Sequence, residues 1–271
     1  MDIEKSIMEA AEILSGCTNA LASCGAGISE ESGIPTFRDP GGVWDTMDPA
    51  EVGTTEGLIQ TLNRDAARVI PFFVKLLDTF ELAMPNPAHK ALADLEAMGI
   101  LKTVVTQNID NLHQEAGSTE VIEVHGNGFR LACLSCGRIA SGDRRDLIAE
   151  ARGKISALSE YSLKTIASVL PACGSCGSMM RPDVVMFGEM VKDIPKAFSA
   201  AQKADAFLAI GTSGVVYPAA YLPFEAKAAS AKVIVVNPNE NAFANISDVY
   251  IPMKAGEAMP RIVGALQSLA L

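Results

Sequence analysis

The chain has 271 residues, a formal net charge of -10 and a hydrophobic share of 49%. That share is ample for a packed core, and the acidic balance argues against a phosphate-neutralising surface and so against direct binding of nucleic acid. No apolar run approaches the roughly 20 residues of a membrane span, so no membrane partner is expected.

Met1-Asp2-Ile3-Glu4-Lys5 is charged and lacks the basic start and apolar block of a secretory signal. A cytoplasmic location is the expectation. The charge itself fits ordinary solubility and, beside it, a partner with basic tails.

Ile3, Ile7, Ala10 and Leu14 recur at helical spacing, with Asp2 as N-cap and Gly16 as stop. A strand over about 20–23 leads into Cys24-Gly25-Ala26-Gly27-Ile28-Ser29. Residues 39–54 are rich in Pro, Gly and Asp, the composition of a mobile segment or lid, and contain the only tryptophan, Trp44. Helical patterning resumes near Thr55 and runs to Leu82, with a break expected at Pro71. Asn86-Pro87 reads as N-cap and N1 of a helix that Gly99 ends. Residues 100–106 form a strand followed by Gln107-Asn108-Ile109-Asp110, and residues 121–124 form another, ending at His125-Gly126. After a composition shift over 129–181, strands return at 206–210 and 233–236, each with a polar tip, Gly211-Thr212-Ser213 and Asn237-Pro238-Asn239. A last short strand spans 248–252, and Pro260 is expected to open the closing helix.

Apolar strands alternating with helices predict an α/β fold with a Rossmann-like, doubly wound parallel sheet. Ligands bind such sheets beyond the carboxyl ends of the strands. The polar clusters at 25–38, 107–113, 125–126, 211–213 and 237–240 all follow strands, which predicts one shared cleft. The expected division is 1–128 with 182–271 as the large domain and 129–181 as a small inserted one.

Of six cysteines, four fall as Cys133-x-x-Cys136 and Cys173-x-x-Cys176. Two residues between thiols let both sulfurs bind one ion from a tight turn, and two such knuckles complete a tetrahedron. One structural zinc is expected, because four thiolates leave no open coordination position. Gly137, Gly174 and Gly177 supply turn freedom.

Gly25 and Gly27 permit a sharp turn and the close approach of a phosphate, but Glu30 stands where the dinucleotide fingerprint G-x-G-x-x-G requires glycine. The longer string from Gly25 to Arg38, GAGISEESGIPTFR, resembles the signature of the sirtuins, the NAD-dependent protein deacylases. Gln107-Asn108-Ile109-Asp110 and His125-Gly126 resemble two further sirtuin segments, and the likeness spans roughly 14–264.

The resemblance implies NAD as co-substrate and acyl-lysine proteins as partners. It assigns catalysis to His125, Asn108 and Asp110. On the residues alone, His125 is either a core group or a base suited to a ribose hydroxyl. NAD contacts are implied for Gly25, Ala26, Gly27, Ile28, Ser29, Thr36, Phe37, Arg38, Trp44, Gln107, Asn108, Ile109 and Asp110. On the later loops they are implied for Gly211, Thr212, Ser213, Asn237, Pro238, Asn239 and Ala255. Val184, Val185, Phe187, Gly188 and Glu189, with Val216 and Tyr217, resemble segments that pair with an extended substrate peptide, a strand addition. Thr36 stands where many members carry Asp, and Met253-Lys254-Ala255-Gly256 replaces the usual Gly-x-Ala-Gly of the adenine loop.

The implied reaction moves a neutral acyl group from lysine to ADP-ribose with release of nicotinamide. Sirtuins that prefer acidic acyl groups carry a Tyr and an Arg on the helix before P-N-x-A-H. Here Phe73 and Leu76 stand at those positions. Longer-chain deacylation and mono-ADP-ribosyl transfer remain open on the same scaffold, as does a non-catalytic NAD-sensing zinc module.

Overall fold

Apolar runs become strands along most of the chain. The computed structural model describes residues 2–37 and 42–269. Its strands are β1 (Ala20–Cys24), β2 (Leu101–Thr106), β3 (Val121–Glu123), β4 (Gly126–Cys133), β5 (Ile139–Ser141), β6 (Met180–Val184), β7 (Ala206–Ile210), β8 (Lys232–Val236) and β9 (Val249–Ile251). The chain divides into two compact units. One comprises Met1–Ser32, Met84–His125 and Val191–Leu271, the other Gly33–Ala83 and Gly126–Met190.

The first unit holds a six-stranded sheet in the order β3-β2-β1-β7-β8-β9, parallel throughout. This is the expected Rossmann-like topology, and its switch point lies between β1 and β7. Both faces are covered. Ala20, Ala22 and Cys24 of β1 join Leu208, Ile210, Ile234 and Val236 beneath helices Ile3–Ser15, Pro87–Ala97 and Ala255–Leu269. Leu21, Phe207, Ala209, Val233 and Val235 pack on the other face against helices Ile194–Lys203 and Leu222–Ala228. Because successive side chains point to two faces that are both buried, these strands read as continuous apolar runs rather than as alternating ones.

The first helix and the helix from Pro87 follow their capping signals. The Asp2 side chain accepts from the Lys5 amide. Asn86 accepts from the Ala88 amide, with His89 at the third helical position completing a capping box. The last helix departs from expectation. It begins at Ala255, and Pro260 lies inside it. Ala255, Ala258 and Met259 are buried in the core, and that burial outweighs the single hydrogen bond the proline removes.

The second unit contains all of 129–181 and also takes in 33–83. Helix Thr55–Leu82 breaks at Asp65 (φ -155°, ψ 63°), not at Pro71, which sits within the continued helix. The Asp65 carboxylate accepts from the Arg68 amide at 3.2 Å and so caps the second segment. Met47, Val52, Leu62, Ala66, Val69 and Ile70 form its core, flanked by Ile155 of helix Arg144–Ser156 and Leu163 and Ile166 of helix Leu163–Val169. A three-stranded antiparallel sheet, β5-β4-β6, completes the unit. Pro182 lies on its edge strand, where a missing amide donor costs nothing in the ladder. Among the described residues no helix is long and apolar enough to cross a membrane.

Candidate functional site

In the first unit the tips of β1, β2, β3 and β7 meet at the switch point. The Gly27 amide donates to the Gly211 carbonyl at 2.8 Å, and that of Gly25 to the Ile210 carbonyl at 3.1 Å. A Cβ on Gly25 would stand 2.8 Å from the Gly211 oxygen, and one on Gly27 2.8 Å from the Gly211 Cα. Gly211 itself holds φ +57°, where a side chain would be strained. The glycines read as room for a ligand are thus first required for two turns to interlock. Ile28 is wholly buried in the core, and its carbonyl accepts from Asn86 Nδ2 at 2.7 Å. The structure places its side chain in packing rather than on the loop surface.

Ser29 is the hub. Its hydroxyl donates to Asp110 Oδ2 at 2.7 Å and accepts from Asn108 Nδ2 at 3.1 Å. Asn108 Nδ2 also reaches the Gly25 carbonyl at 3.1 Å, and Asp110 Oδ1 accepts from the Leu112 amide at 3.0 Å. Ser29, Asn108 and Asp110 are all buried, so this polar group is a rigid, hydrogen-bonded cluster in a low-dielectric setting. His89 Nε2 stands 3.5 Å from the same hydroxyl, while its Nδ1 accepts from the Asn86 amide. Sequence reasoning did not single out His89 for the site. The signal that could have placed it beside the cluster was its position as the third residue of an N-P-A-H capping box.

His125 follows β3. Its Nδ1 lies 3.0 Å from the Gln107 carbonyl oxygen, and a carbonyl only accepts, so Nδ1 carries the proton and Nε2 is left with a lone pair. Burial lowers the imidazole's pKa, opposed by the hydrogen bond to Gln107. Gln107 Nε2 donates to Thr212 Oγ1 at 3.3 Å, joining the β2 tip to the β7 tip. Asn237 Nδ2 reaches the Asn239 carbonyl at 2.5 Å. Pro238 and Asn239 are exposed, and Ser213 and Ile109 lie at the same strand ends. Ala255 is buried at the start of the last helix.

His113 is buried against His89, with ring centroids 4.9 Å apart, and neither of its ring nitrogens has a hydrogen-bond partner among the described residues. Burial pushes His89 down to about 4 and His113, which also feels His89, down to about 3. Both are neutral in the folded protein at pH 7 and lie below the ordinary value of 6.5. Their contribution to stability is complete above about pH 6.5 and is lost as pH falls toward the folded values. We expect on the order of 3 kcal/mol lost per histidine by pH 4. Urea unfolding from pH 7 to 4 measures this, and His113→Leu should flatten the slope. An unchanged slope in that variant would contradict the assignment.

The second unit carries the remaining predicted residues apart from Val216 and Tyr217, which belong to the first. Phe37 and Trp44 lie 5.4 Å apart, and Trp44 and Phe187 6.0 Å. Phe37 and Phe187 are 42% and 46% exposed, so neither is a core residue. The Thr36 and Phe37 carbonyls accept from the amides of Val43 and Trp44. Arg38 lies outside the described residues. The Phe187 amide donates to the Gly53 carbonyl at 2.8 Å, and a Cβ on Gly53 would strike the Phe187 ring at 2.7 Å. Glu189 pairs with Arg181 at 2.7 Å. Burial acts to raise the Glu189 carboxyl, but Arg181 and the Met186 amide hold it below the usual range. Val184 ends β6, and Val185 and Gly188 lie in the loop with Phe187 and Glu189. Tyr217 is 60% exposed and follows Val216, whose carbonyl accepts from the Ala220 amide.

Cys133, Cys136, Cys173 and Cys176 place their sulfurs within 4.8 Å of one another. Cys133 and Cys176 are 3.5 Å apart and Cys136 and Cys173 3.7 Å. A tetrahedral zinc with Zn–S of about 2.3 Å requires sulfurs about 3.8 Å apart, so the set fits the ion. The amides of Cys136 and Ser135 point at Cys133 Sγ and pull its thiol down to about 6, favouring the thiolate that a metal needs. Gly137 and Gly177 take positive φ to close the knuckles, whereas Gly174 does not.

Residues 25–218 match the family model described as the Sir2 family. A relative from Desulfosudis oleivorans named NAD-dependent protein deacylase is 55% identical over 269 residues, covering 99% of this chain and 98% of the relative. A solved Sir2 homologue in complex with NAD is 33% identical, with a TM-score of 0.79 over 97% of this chain and 94% of that one. The structure of Sir2Af2 bound to a myristoylated histone peptide is 36% identical, with a TM-score of 0.71 over 98% of each chain.

Proposed function

The chain belongs to the Sir2 family, and from that premise we propose how its residues carry out NAD-dependent removal of acyl groups from protein lysines. The activity is that of an NAD-dependent protein deacylase, with proteins as substrates. The observation that carries the reading is the buried Ser29–Asn108–Asp110 cluster, with His125 held on the Gln107 carbonyl of the same loop.

The donor sets at 25–29, 211–213 and 237–239 consist of hydroxyls, carboxamides and glycine backbone, with no carboxylate among them. That chemistry suits the phosphates and ribose of NAD. NAD would supply an electrophilic ribosyl carbon for the acyl oxygen, nicotinamide as the leaving group, and a ribose hydroxyl that finally carries the acyl group. Asn108 and Asp110 orient the nicotinamide end and stabilise positive charge there, preorganised by Ser29. His125 Nε2 takes the proton from a ribose hydroxyl. Phe37 is assigned to the nicotinamide side, Thr36, Arg38 and Trp44 to NAD without a side being specified, and 184–189 with Val216 and Tyr217 to the substrate backbone. The exposure of Phe37, Phe187 and Tyr217 supports those roles. A cytoplasmic setting belongs to the same proposal, supported by four cysteines arranged for a metal rather than for disulfides.

Incubation with NAD and an acetyl-lysine peptide tests the activity. Nicotinamide should appear only when both are present, in step with deacylated peptide. Nicotinamide release without peptide, or transfer of ADP-ribose to protein, would overturn the reading.

We further propose a preference for neutral acyl groups. Phe73 packs edge-to-face on Phe72 at 5.4 Å, beside the apolar cluster of Val69 and Ile70, and Leu76 is half-buried one turn on. A succinyl carboxylate meeting these residues would lack a charged partner, at a cost of about 2–4 kcal/mol. Acetyl peptide should therefore exceed succinyl peptide by roughly 30- to 700-fold in kcat/KM. Phe73→Tyr combined with Leu76→Arg should narrow the gap. Faster removal of succinyl by the unmodified protein would refute the preference.

A further inference from the structure

The last helix, Ala255–Leu269, begins directly after Lys254, whose side chain is a cation and cannot accept a hydrogen bond from the helix's free amides. The acceptor comes from the other end of the chain. Glu31 Oε2 takes the Gly256 amide at 2.6 Å. The Glu31 carboxylate also lies so close over Gly256 that a Cβ there would stand 2.7 Å from Oε2 and 2.8 Å from Cδ. Glu30 pairs with Lys254 at 2.9 Å, and Ser32 Oγ accepts from Asn86 Nδ2 at 3.0 Å. Residues 30–32 thus form a clasp. It continues straight from the glycine turn and Ser29, and it grips the chain immediately beyond β9, at the carboxyl edge where this fold binds ligands.

We propose that Glu31 is a positioning residue for NAD: by capping the last helix from the glycine loop, it fixes the 253–256 segment relative to the phosphate-binding turn and so sets the adenosine end of the site. The inference rests on the deacylase reading, with Ala255 on the adenine side. An anion on a helix's first free amides is favoured by hydrogen bonding and by the helix dipole together. Removing it frees the segment without touching Ser29, Asn108, Asp110 or His125.

Glu31→Ala should raise the KM for NAD about 5- to 30-fold, the scale of one charged capping hydrogen bond, with kcat at saturating NAD and the KM for peptide held within about twofold. Glu31→Gln, which keeps the acceptor and loses the charge, should fall between. Gly256→Ala, which displaces the carboxylate, should reproduce Glu31→Ala. Inhibition by ADP-ribose should weaken in parallel with the rise in KM, while inhibition by nicotinamide mononucleotide, which has no adenosine, should not change. Equal weakening of both inhibitors would make Glu31 a general structural residue, and an unchanged KM for NAD would remove any role. Either result overturns the inference while leaving intact a peptide-dependent NAD reaction of the unmodified protein. Absence of that reaction in the unmodified protein would instead strike the deacylase reading.

Discussion

His125→Ala lowers the deacylation rate by about 10²- to 10⁴-fold, the range a positioned general base contributes, and leaves the folded structure in place. The size of the effect follows from the geometry. With Nδ1 committed to the Gln107 carbonyl, only Nε2 can take a proton, and no other imidazole can substitute. His89 is engaged with the Asn86 amide through Nδ1, and His113 is fully buried. Burial lowers the His125 pKa, so the ring is neutral and active at pH 7. In the unmodified protein kcat/KM should be flat around neutrality and fall on the acid side, below pH 6.5. His125→Ala should lack that limb. Steady-state rates across pH, with circular dichroism as the control for folding, measure both effects. Near-full turnover in the variant would remove the histidine from the mechanism.

Stripping the metal should have a still larger consequence for structure. Among the described residues, the buried apolar cluster at the knuckles consists of Cys133, Cys173 and Met180, with Leu131 alongside. That is too little to hold the knuckle ends of β4, β5 and β6 by the hydrophobic effect, although Phe129 further along β4 packs on Phe80 at 5.7 Å. A structural zinc in a site of this kind is worth about 10–16 kcal/mol, as much as the whole stability of an ordinary domain. We expect one zinc per chain and, after chelation, loss of amide protection across β4, β5 and β6. Protection in β1, β7 and β8 should survive, because their core is independent of the metal. Cys173→Ala, which removes a buried ligand, should do the same. Activity should fall with the metal although a four-thiolate site leaves the ion no open position for chemistry, since β4 begins directly after His125. Unchanged hydrogen exchange in metal-free protein would show that the four cysteines do not hold the unit together.

Local chemistry was legible without coordinates wherever one short stretch contains the whole device. The C-x-x-C pairs declare a tetrahedral site because both thiols of a knuckle lie on a single turn. Asp2 and Asn86 declare helix starts because a cap and the amides it satisfies are two or three residues apart. Apolar runs broken by polar tips declare a parallel sheet and its binding edge, since both faces of such a strand must be buried.

The tertiary structure alone decided the rest. Ser29 is the hub of the site because Asn108 and Asp110 arrive from another strand, and Glu31 caps a helix that begins 224 residues later at Ala255. No window of sequence contains either pair. Gly25 and Gly27 are glycine because Gly211 presses on them, a demand that exists only once β1 and β7 are neighbours. Pro71 and Pro260 remain inside helices because burial of their neighbours outweighs a local propensity of a few kcal/mol. Periodicity and caps report energies set within a turn of chain, whereas hubs, remote caps and tolerated prolines are set by which surfaces meet after folding.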